Sequence, residues 1–271
     1  MRELRTCPVT GRLALLNDAW IDLPAPVPPL AEPEPCWYCA YGGPIIATRG
    51  HTRAAPHPAP ALGVEGDPRP TVLAGAVRRQ AVGAHELVFA GHDGGELLPL
   101  LAARIADLRG DVRLRGFGAT RRHAPGRHPA WQLFALPYDV PPTVPAGWRD
   151  AERAHGERIL EDAAATAFLA WAPRAPFETW VLPSLGISGL ARTAPEVMTA
   201  VEAAVERVLA RLDRALRGCP IDLVLVDGEP WRIEIVPRLA GPAAVEVATG
   251  VPVHGVFPEA AAEYLRDAVR D

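Results

Sequence analysis

Apolar positions along this chain keep two different periods, and the alternation between the two sets the expected architecture. Leu97, Leu101, Ile105 and Leu108 recur at intervals of three and four, which predicts an amphipathic helix over Glu96–Arg109. Gly110 closes it, and Pro99 sits in the first turn, where a missing N–H costs nothing. Val197, Val201, Val205, Val208 and Leu212 repeat the pattern over a longer stretch. Thr193-Ala194-Pro195-Glu196 reads as a capping box opening this longest helix, which ends near Arg217 with Gly218 as its stop. Glu202, Glu206, Arg207, Arg211 and Arg214 fall on its other faces and read as a solvated surface. Short runs bounded by proline and glycine read as strands. They include Leu13–Leu16 after the turn Pro8–Arg12, Ala84–Ala90, Val112–Phe117, Trp131–Leu136, Ala165–Trp171 and Phe177–Pro183. Ile221–Val226 and Trp231–Val236 form a hairpin around Asp227-Gly228-Glu229-Pro230. Strands, a helix and strands again, twice over, predict an α+β chain of two similar halves. The proline-rich segment Tyr138–Gly147 is the joint, giving units 1–146 and 147–271.

Composition narrows the class without choosing a function. The chain has 271 residues, 49% hydrophobic and 22% charged, which is ordinary for a globular protein able to bury a large core. A formal net charge of −4 gives no basic footprint for nucleic acid. No apolar run approaches the roughly 20 residues of a membrane span, and the first residues lack the basic and apolar regions of a signal peptide. A cytoplasmic protein is therefore expected. Four cysteines, two of them spaced Cys36-Trp37-Tyr38-Cys39, suit an intracellular metal pair better than a disulfide scaffold. Two thiolates at this spacing can both reach one tetrahedral zinc at about 2.3 Å, although redox pairs share the spacing.

The most informative stretch is Arg127-His128-Pro129-Ala130-Trp131-Gln132 with the apolar run behind it. In an extended chain, His128, Ala130 and Gln132 share one face and Trp131 and Leu133 the other. An imidazole, a methyl and an amide at alternate positions make a face suited to a polar ligand, with a gap at the methyl.

This stretch resembles the His-Pro-His-x-Gln signature of the galactose-1-phosphate uridylyltransferases of the histidine-triad superfamily. Similar matches continue through most of the chain. Pro176-Phe177-Glu178 resembles the family's Pro-Phe-Glu, and Ile233-Glu234-Ile235-Val236-Pro237-Arg238 its Ile-Glu-Ile-x-Pro-Arg. Ala243–Gly250 and Pro258–Arg266 resemble its closing segments. The resemblance implies two histidine-triad-like halves, each a mainly antiparallel sheet with a long helix, and a homodimer. It also implies a closed structural zinc held by Cys36, Cys39, His92 and His128, with His85 as a substitute for His92. A closed site leaves no position at which water could be activated.

The chemical positions depart from the family. Its second histidine attacks the α-phosphorus of a nucleotide sugar, and that position is Ala130, whose methyl cannot act as a nucleophile. Gln132 matches the glutamine that holds phosphate oxygens. His57 replaces an asparagine that helps hold the nucleotide. The family's serine loop becomes the basic stretch Arg121–Arg127, in which Arg127 is a candidate for an anionic ligand. Glu178 keeps the place of a ligand to a second metal, but the histidines that would accompany it are missing, Pro230 and Arg232 standing in two of their places; with His57, Arg127 and Gln132 it is a candidate substrate contact. The expectation is a diverged enzyme acting on a nucleotide, nucleotide sugar or sugar phosphate without a uridylyl-histidine intermediate. The alternative is a non-catalytic binding or partner protein on the same fold. Standard transfer between UDP-glucose and galactose-1-phosphate is disfavoured by Ala130.

Overall fold

A computed structural model describes residues 2–7, 13–17, 38–69, 71–73, 76–78, 80–91, 95–123, 128–139, 156–184, 189–239, 241 and 244–268. The chain opens with an antiparallel hairpin of β1 (Arg2–Thr6) and β2 (Leu13–Asn17). The first half continues through β3 (Ala47–Arg49), β4 (Thr52–Pro56), the small hairpin β5 (Thr71–Leu73) and β6 (Ala76–Arg78), and β7 (Ala84–Phe89). Helix α1 (Leu97–Leu108), β8 (Gly116–His123) and β9 (Ala130–Leu136) complete it. The second half runs through β10 (Ile159–Asp162), β11 (Ala165–Leu169), β12 (Thr179–Pro183), α2 (Pro195–Leu216), β13 (Ile221–Val226) and β14 (Arg232–Pro237). It closes with α3 (Ala244–Thr249), β15 (Val253–His254) and α4 (Pro258–Asp267).

Ten of these strands form one sheet in the order β10-β11-β12-β14-β13-β8-β9-β7-β4-β3. Every pairing within it is antiparallel. Five strands come from each half. Counted inward from either edge, the order is first, second, third, fifth, fourth, with the helix inserted between the third and the fourth. The expected α+β class and the repeated plan are therefore present, and the halves meet where β8 pairs with β13. The boundary at 146/147 lies outside the described residues.

Both long helices cover one face of the sheet. On α2 the buried stripe is Met198, Val201, Val205, Val208 and Leu212. At about 1.5–3 kcal/mol each, these five side chains contribute on the order of 10 kcal/mol before ordering entropy is subtracted. The capping box does not form: Ala194 occupies the N-cap without a side-chain bond. Thr193 Oγ1 instead donates to the Gly189 carbonyl and accepts from Trp231 Nε1 at 2.8 Å, tying the helix start to the β13–β14 hairpin. A second departure concerns β8. The strand expected over Val112–Phe117 lies at Gly116–His123, because Asp111–Leu114 is held in a turn by the Leu114 N–H on the Asp111 carbonyl.

The other face of the sheet is open at its centre and covered at one end. There β1, β2 and β15 form a small sheet. Cys7 and Ala14 pack from it onto Phe168, Ala170, Trp180 and Leu182. Arg5 lies 4.0 Å over the Trp171 ring and bonds Glu259 of α4, so the chain's two ends clamp the same edge. Among the described residues no helix is long and apolar enough to cross a membrane.

Candidate functional site

Strand β9 divides its side chains as the sequence requires. Trp131, Leu133 and Ala135 enter the core beneath the helices. Ala130 lies on the open face in a separate apolar cluster with Ala55, Leu87 and Phe89. Gln132 shares that face, opposite Leu87 on β7 and Thr120 on β8. The expected gap at Ala130 is not there. Ala130 is only 8% exposed, and Tyr38 and Tyr41 pack against the same cluster, Tyr38 tilted against the Phe89 ring and Tyr41 edge-on to it. The nucleophile slot has become a small apolar core.

One step along the strands, polar groups converge. His85 stacks between His57, at 4.0 Å between ring centroids, and Phe134, at 4.3 Å. The Ala61 N–H donates to His85 Nδ1 at 3.1 Å, so that nitrogen is an acceptor and the neutral ring carries its proton on Nε2. Nε2–H then donates to Gln132 Oε1 at 3.3 Å. Burial, reinforced by the neighbouring His57, holds the His85 imidazole below its ordinary pKa and favours this neutral form. With its carbonyl oxygen used, Gln132 presents its NH2 group as a donor. His57 therefore joins Gln132 through His85.

The basic stretch resolves differently from a loop. Residues 121–123 continue β8, so neighbouring side chains go to opposite faces. Arg121 approaches Glu206 of α2 and His123 bonds Asp213 of α2, both beneath the helices. Arg122 lies on the open face, where its Nε meets Asp222 Oδ1 at 2.8 Å and Arg238 Nε meets Asp222 Oδ2 at 2.7 Å. Two guanidiniums on one carboxylate leave a net positive charge beside Thr120 and Gln132. Arg127 lies outside the described residues.

Glu178 lies elsewhere. Counting four inter-strand steps from β9 to β12, it is about 19 Å from Gln132. It is 0% exposed and accepts from the Arg174 backbone N–H, from Arg174 Nε and Nη2, and from Trp180 Nε1. Arg174 Nη2 also reaches Glu234 at 2.6 Å, and Arg232 Nε bonds the same carboxylate at 2.8 Å. Glu178 is thus fully buried with its oxygens held by Arg174 and Trp180, and a substrate would have to displace those bonds to reach it.

Of the four zinc candidates, Cys36 and His92 lie outside the described residues. The other two meet, with Cys39 Sγ 3.9 Å from His128 Nδ1. Ligand bonds of about 2.3 Å to sulfur and 2.0–2.1 Å to nitrogen at a tetrahedral angle would place the two atoms about 3.6 Å apart. His128 Nε2 hydrogen-bonds the Ala90 carbonyl, an acceptor, so Nε2 holds the proton and Nδ1 turns its lone pair toward the sulfur. Tyr38 stacks on the ring at 5.1 Å. Cys39 and His128 therefore fit two ligands of a zinc site, although among the described residues no third ligand joins them. His85 stands at the far end of β7, about 13 Å along the strand from Phe89.

Sequence reasoning missed the Arg122–Asp222–Arg238 group, the Arg174–Glu178–Glu234–Arg232 cluster and the tyrosines over Ala130. The signal for the first was present: Thr120 and Arg122 alternate with Ala119 and Arg121 as strand residues do, but paired arginines read as loop.

No protein-family model matches the chain. An ADP-glucose phosphorylase from Arabidopsis thaliana is 26% identical over 165 residues, which span 52% of this chain and 47% of that protein, about half its length. Among solved structures, a galt-like protein from Arabidopsis thaliana superposes with a TM-score of 0.76 at 20% identity, covering 98% of this chain and 99% of that one. The Arabidopsis thaliana ADP-glucose phosphorylase with bound ADP-glucose gives 0.75 at 20% identity, covering 98% of each chain. A uridylyltransferase gives 0.67 at 20% identity, covering 100% of this chain and 99% of that one. The resemblance read from the sequence is thus borne out in the architecture, and the chain has the fold shared by the galt-like proteins and the uridylyltransferases.

Proposed function

We propose that this protein binds a nucleotide sugar or sugar phosphate on the open face and acts on it without a covalent histidine intermediate. The observation that carries the reading is the Ala61–His85–Gln132 relay, which spends the Gln132 carbonyl internally and leaves its NH2 as a donor. Thr120 beside it and the net positive Arg122–Asp222–Arg238 group suit the phosphate oxygens, and the His57 ring suits a flat face of the ligand. Two proteins of the same fold carry names that fit this ligand class.

With a methyl at position 130, transfer takes the form of one direct displacement. An oxygen of an acceptor phosphate bonds the α-phosphorus, the bond to the bridging oxygen breaks, and the sugar phosphate leaves with those electrons. The protein's part is to position both anions and screen their charge. A zinc held by Cys36, Cys39, His92 and His128 would staple the 38–41 turn against β7 and β9; closed by four ligands, it supplies rigidity.

The apolar packing around Ala130 favours a second reading, a ligand-binding protein without turnover. Titration with ADP-glucose and UDP-glucose, followed by phosphorus NMR with added inorganic phosphate, separates the two. Binding with turnover to a nucleoside diphosphate and a sugar phosphate supports displacement, and binding without turnover supports the second reading. Failure of every nucleotide sugar and sugar phosphate to bind, or a nucleotidyl adduct on the denatured protein, refutes the proposal. Metal analysis should find about one zinc per chain, lost in Cys39→Ser.

A further inference from the structure

On the helical face of the sheet, between α1 and α2, lies a cavity of about 320 Å³. Its walls are largely apolar: Trp131 and Leu223 rise from the sheet, and Leu97, Leu98 and Val205 descend from the helices. Its polar groups are Arg121, Glu202 and Glu206. None of them belongs to the open-face site, because Arg121 and Trp131 point the opposite way from their chain neighbours Arg122 and Gln132.

The hydrogen bonding around the cavity is incomplete. Arg121 Nε is buried and has no hydrogen-bond partner among the described residues. Its Nη1 stands 3.8 Å from Glu206 Oε1, an ion-pair distance and not a hydrogen bond. Glu202 Oε1 accepts the Leu98 N–H at 3.1 Å, which ties the first turn of α1 to α2, while Glu206 is largely exposed at the edge of the cavity. Burial lowers the Arg121 pKa and raises that of Glu202, as expected of charges held short of water. Native interiors rarely leave such groups unanswered beside open space.

We propose that this cavity is a binding site for a small zwitterion with an apolar side chain, an apolar α-amino acid. Its carboxylate accepts from Arg121, its ammonium donates to Glu202 and Glu206, and its side chain covers the Leu98, Trp131, Val205 and Leu223 surface. Simpler molecules answer only part of this lining. A carboxylic acid satisfies Arg121 but brings a third negative charge against two glutamates. An amine satisfies the glutamates and leaves Arg121 Nε without an acceptor, and a hydrocarbon leaves both Arg121 and Glu202 unmet. One cation, two anions and an apolar wall call for both charges on one small body.

The test uses the full chain with L-leucine and L-phenylalanine, and with 4-methylpentanoate and 3-methylbutylamine as single-charge analogues. Either amino acid should raise the thermal midpoint by several degrees at a concentration about a hundredfold above its Kd. The analogues should bind at least tenfold more weakly. Arg121→Met and Glu202→Gln should each weaken amino-acid binding at least tenfold. Should either variant fail to fold, saturation-transfer NMR on the unaltered chain reports directly, with the strongest transfer to the ligand's side-chain protons. The absence of both a midpoint shift and saturation transfer with both amino acids overturns the proposal, as does binding of either analogue as tight as that of the zwitterion.

Discussion

Restoring the lost nucleophile by Ala130→His is the most direct challenge to the reading of the open face. If the position were an empty slot, an imidazole would fit at little cost. The structure gives a different expectation. Ala130 is 8% exposed and packs in one cluster with Ala55, Leu87 and Phe89, against which Tyr38 and Tyr41 also lie, so an imidazole has to displace side chains that already touch. Overpacking a formed cluster costs about 1–3 kcal/mol. Ring nitrogens placed among apolar side chains without partners add about 1–3 kcal/mol more. The expected loss is therefore about 2–6 kcal/mol, a large part of the 5–15 kcal/mol that a typical domain has. Urea denaturation of the variant against the unaltered chain measures it, with an unchanged slope required for the comparison. Incubation of the same samples with nucleotide sugar, followed by denaturation, should show no protein-bound nucleotide. A variant of full stability, or one that acquires a stable nucleotidyl adduct, would show that position 130 still opens onto the reacting phosphorus and would refute the filled-slot argument.

Three further outcomes follow from the same geometry. Arg174→Met removes two side-chain donors from fully buried Glu178 and one from Glu234; discounted for the arginine's partial exposure, this should cost about 2–4 kcal/mol in denaturant, and adding Glu178→Gln should recover part of it. His85 carries a folded-state pKa depressed below its unfolded value of about 6.5, so its contribution is present above that pH and lost as pH falls through the folded value. Nucleotide-sugar affinity and the denaturation midpoint should both drop on acidification, and the His85→Gln variant should drop less; parallel curves would exclude the relay. At Gly83 an added Cβ would meet the Ala135 carbonyl oxygen at 2.2 Å, so Gly83→Ala should destabilise by about 2 kcal/mol in a thermal or denaturant titration.

What the sequence made legible was governed by period and spacing. Leu97, Leu101 and Ile105 announced α1, and Val201, Val205, Val208 and Leu212 announced α2, because a helix packed on a sheet needs one continuous apolar stripe. The split of β9 into Trp131/Leu133 and Ala130/Gln132 could be read for the same reason. Residues Arg121–His123 could not, because their meaning depends on partners distant in the chain. Arg121 and His123 are tolerated under α2 only because Glu206 and Asp213 come from that helix. The tyrosines over Ala130 were equally hidden: a missing imidazole looks like a vacancy until the loop that fills it is placed. Glu178 looked available because Arg174, four residues earlier, gave no sign that it would turn back onto it.

The repeated topology also decides which half can hold a ligand. Partners across the sheet form one continuous row on the open face: Leu87, Gln132, Thr120, Val224, Glu234, Trp180 and Phe168. Gln132 and Glu234 occupy matching places in it, each on the fifth strand of its half and each one strand away from the central β8–β13 pair. They differ in what satisfies them. Glu234 is closed by Arg174 and Arg232, which also serve the surroundings of Glu178, so the second half spends its polar groups on itself. Gln132 has its oxygen taken by His85 and its NH2 left over, with Arg122 and Arg238 sharing a single carboxylate nearby. A carboxylate with both oxygens taken fixes structure, whereas an amide with its NH2 left over is available to bind. Substitutions at Arg174 or Glu234 should therefore lower stability and leave nucleotide-sugar affinity within about twofold for protein that remains folded, while Gln132→Met should do the reverse. If both positions changed affinity alike, the ligand would have to span the seam, and assignment of the site to the first half would fail.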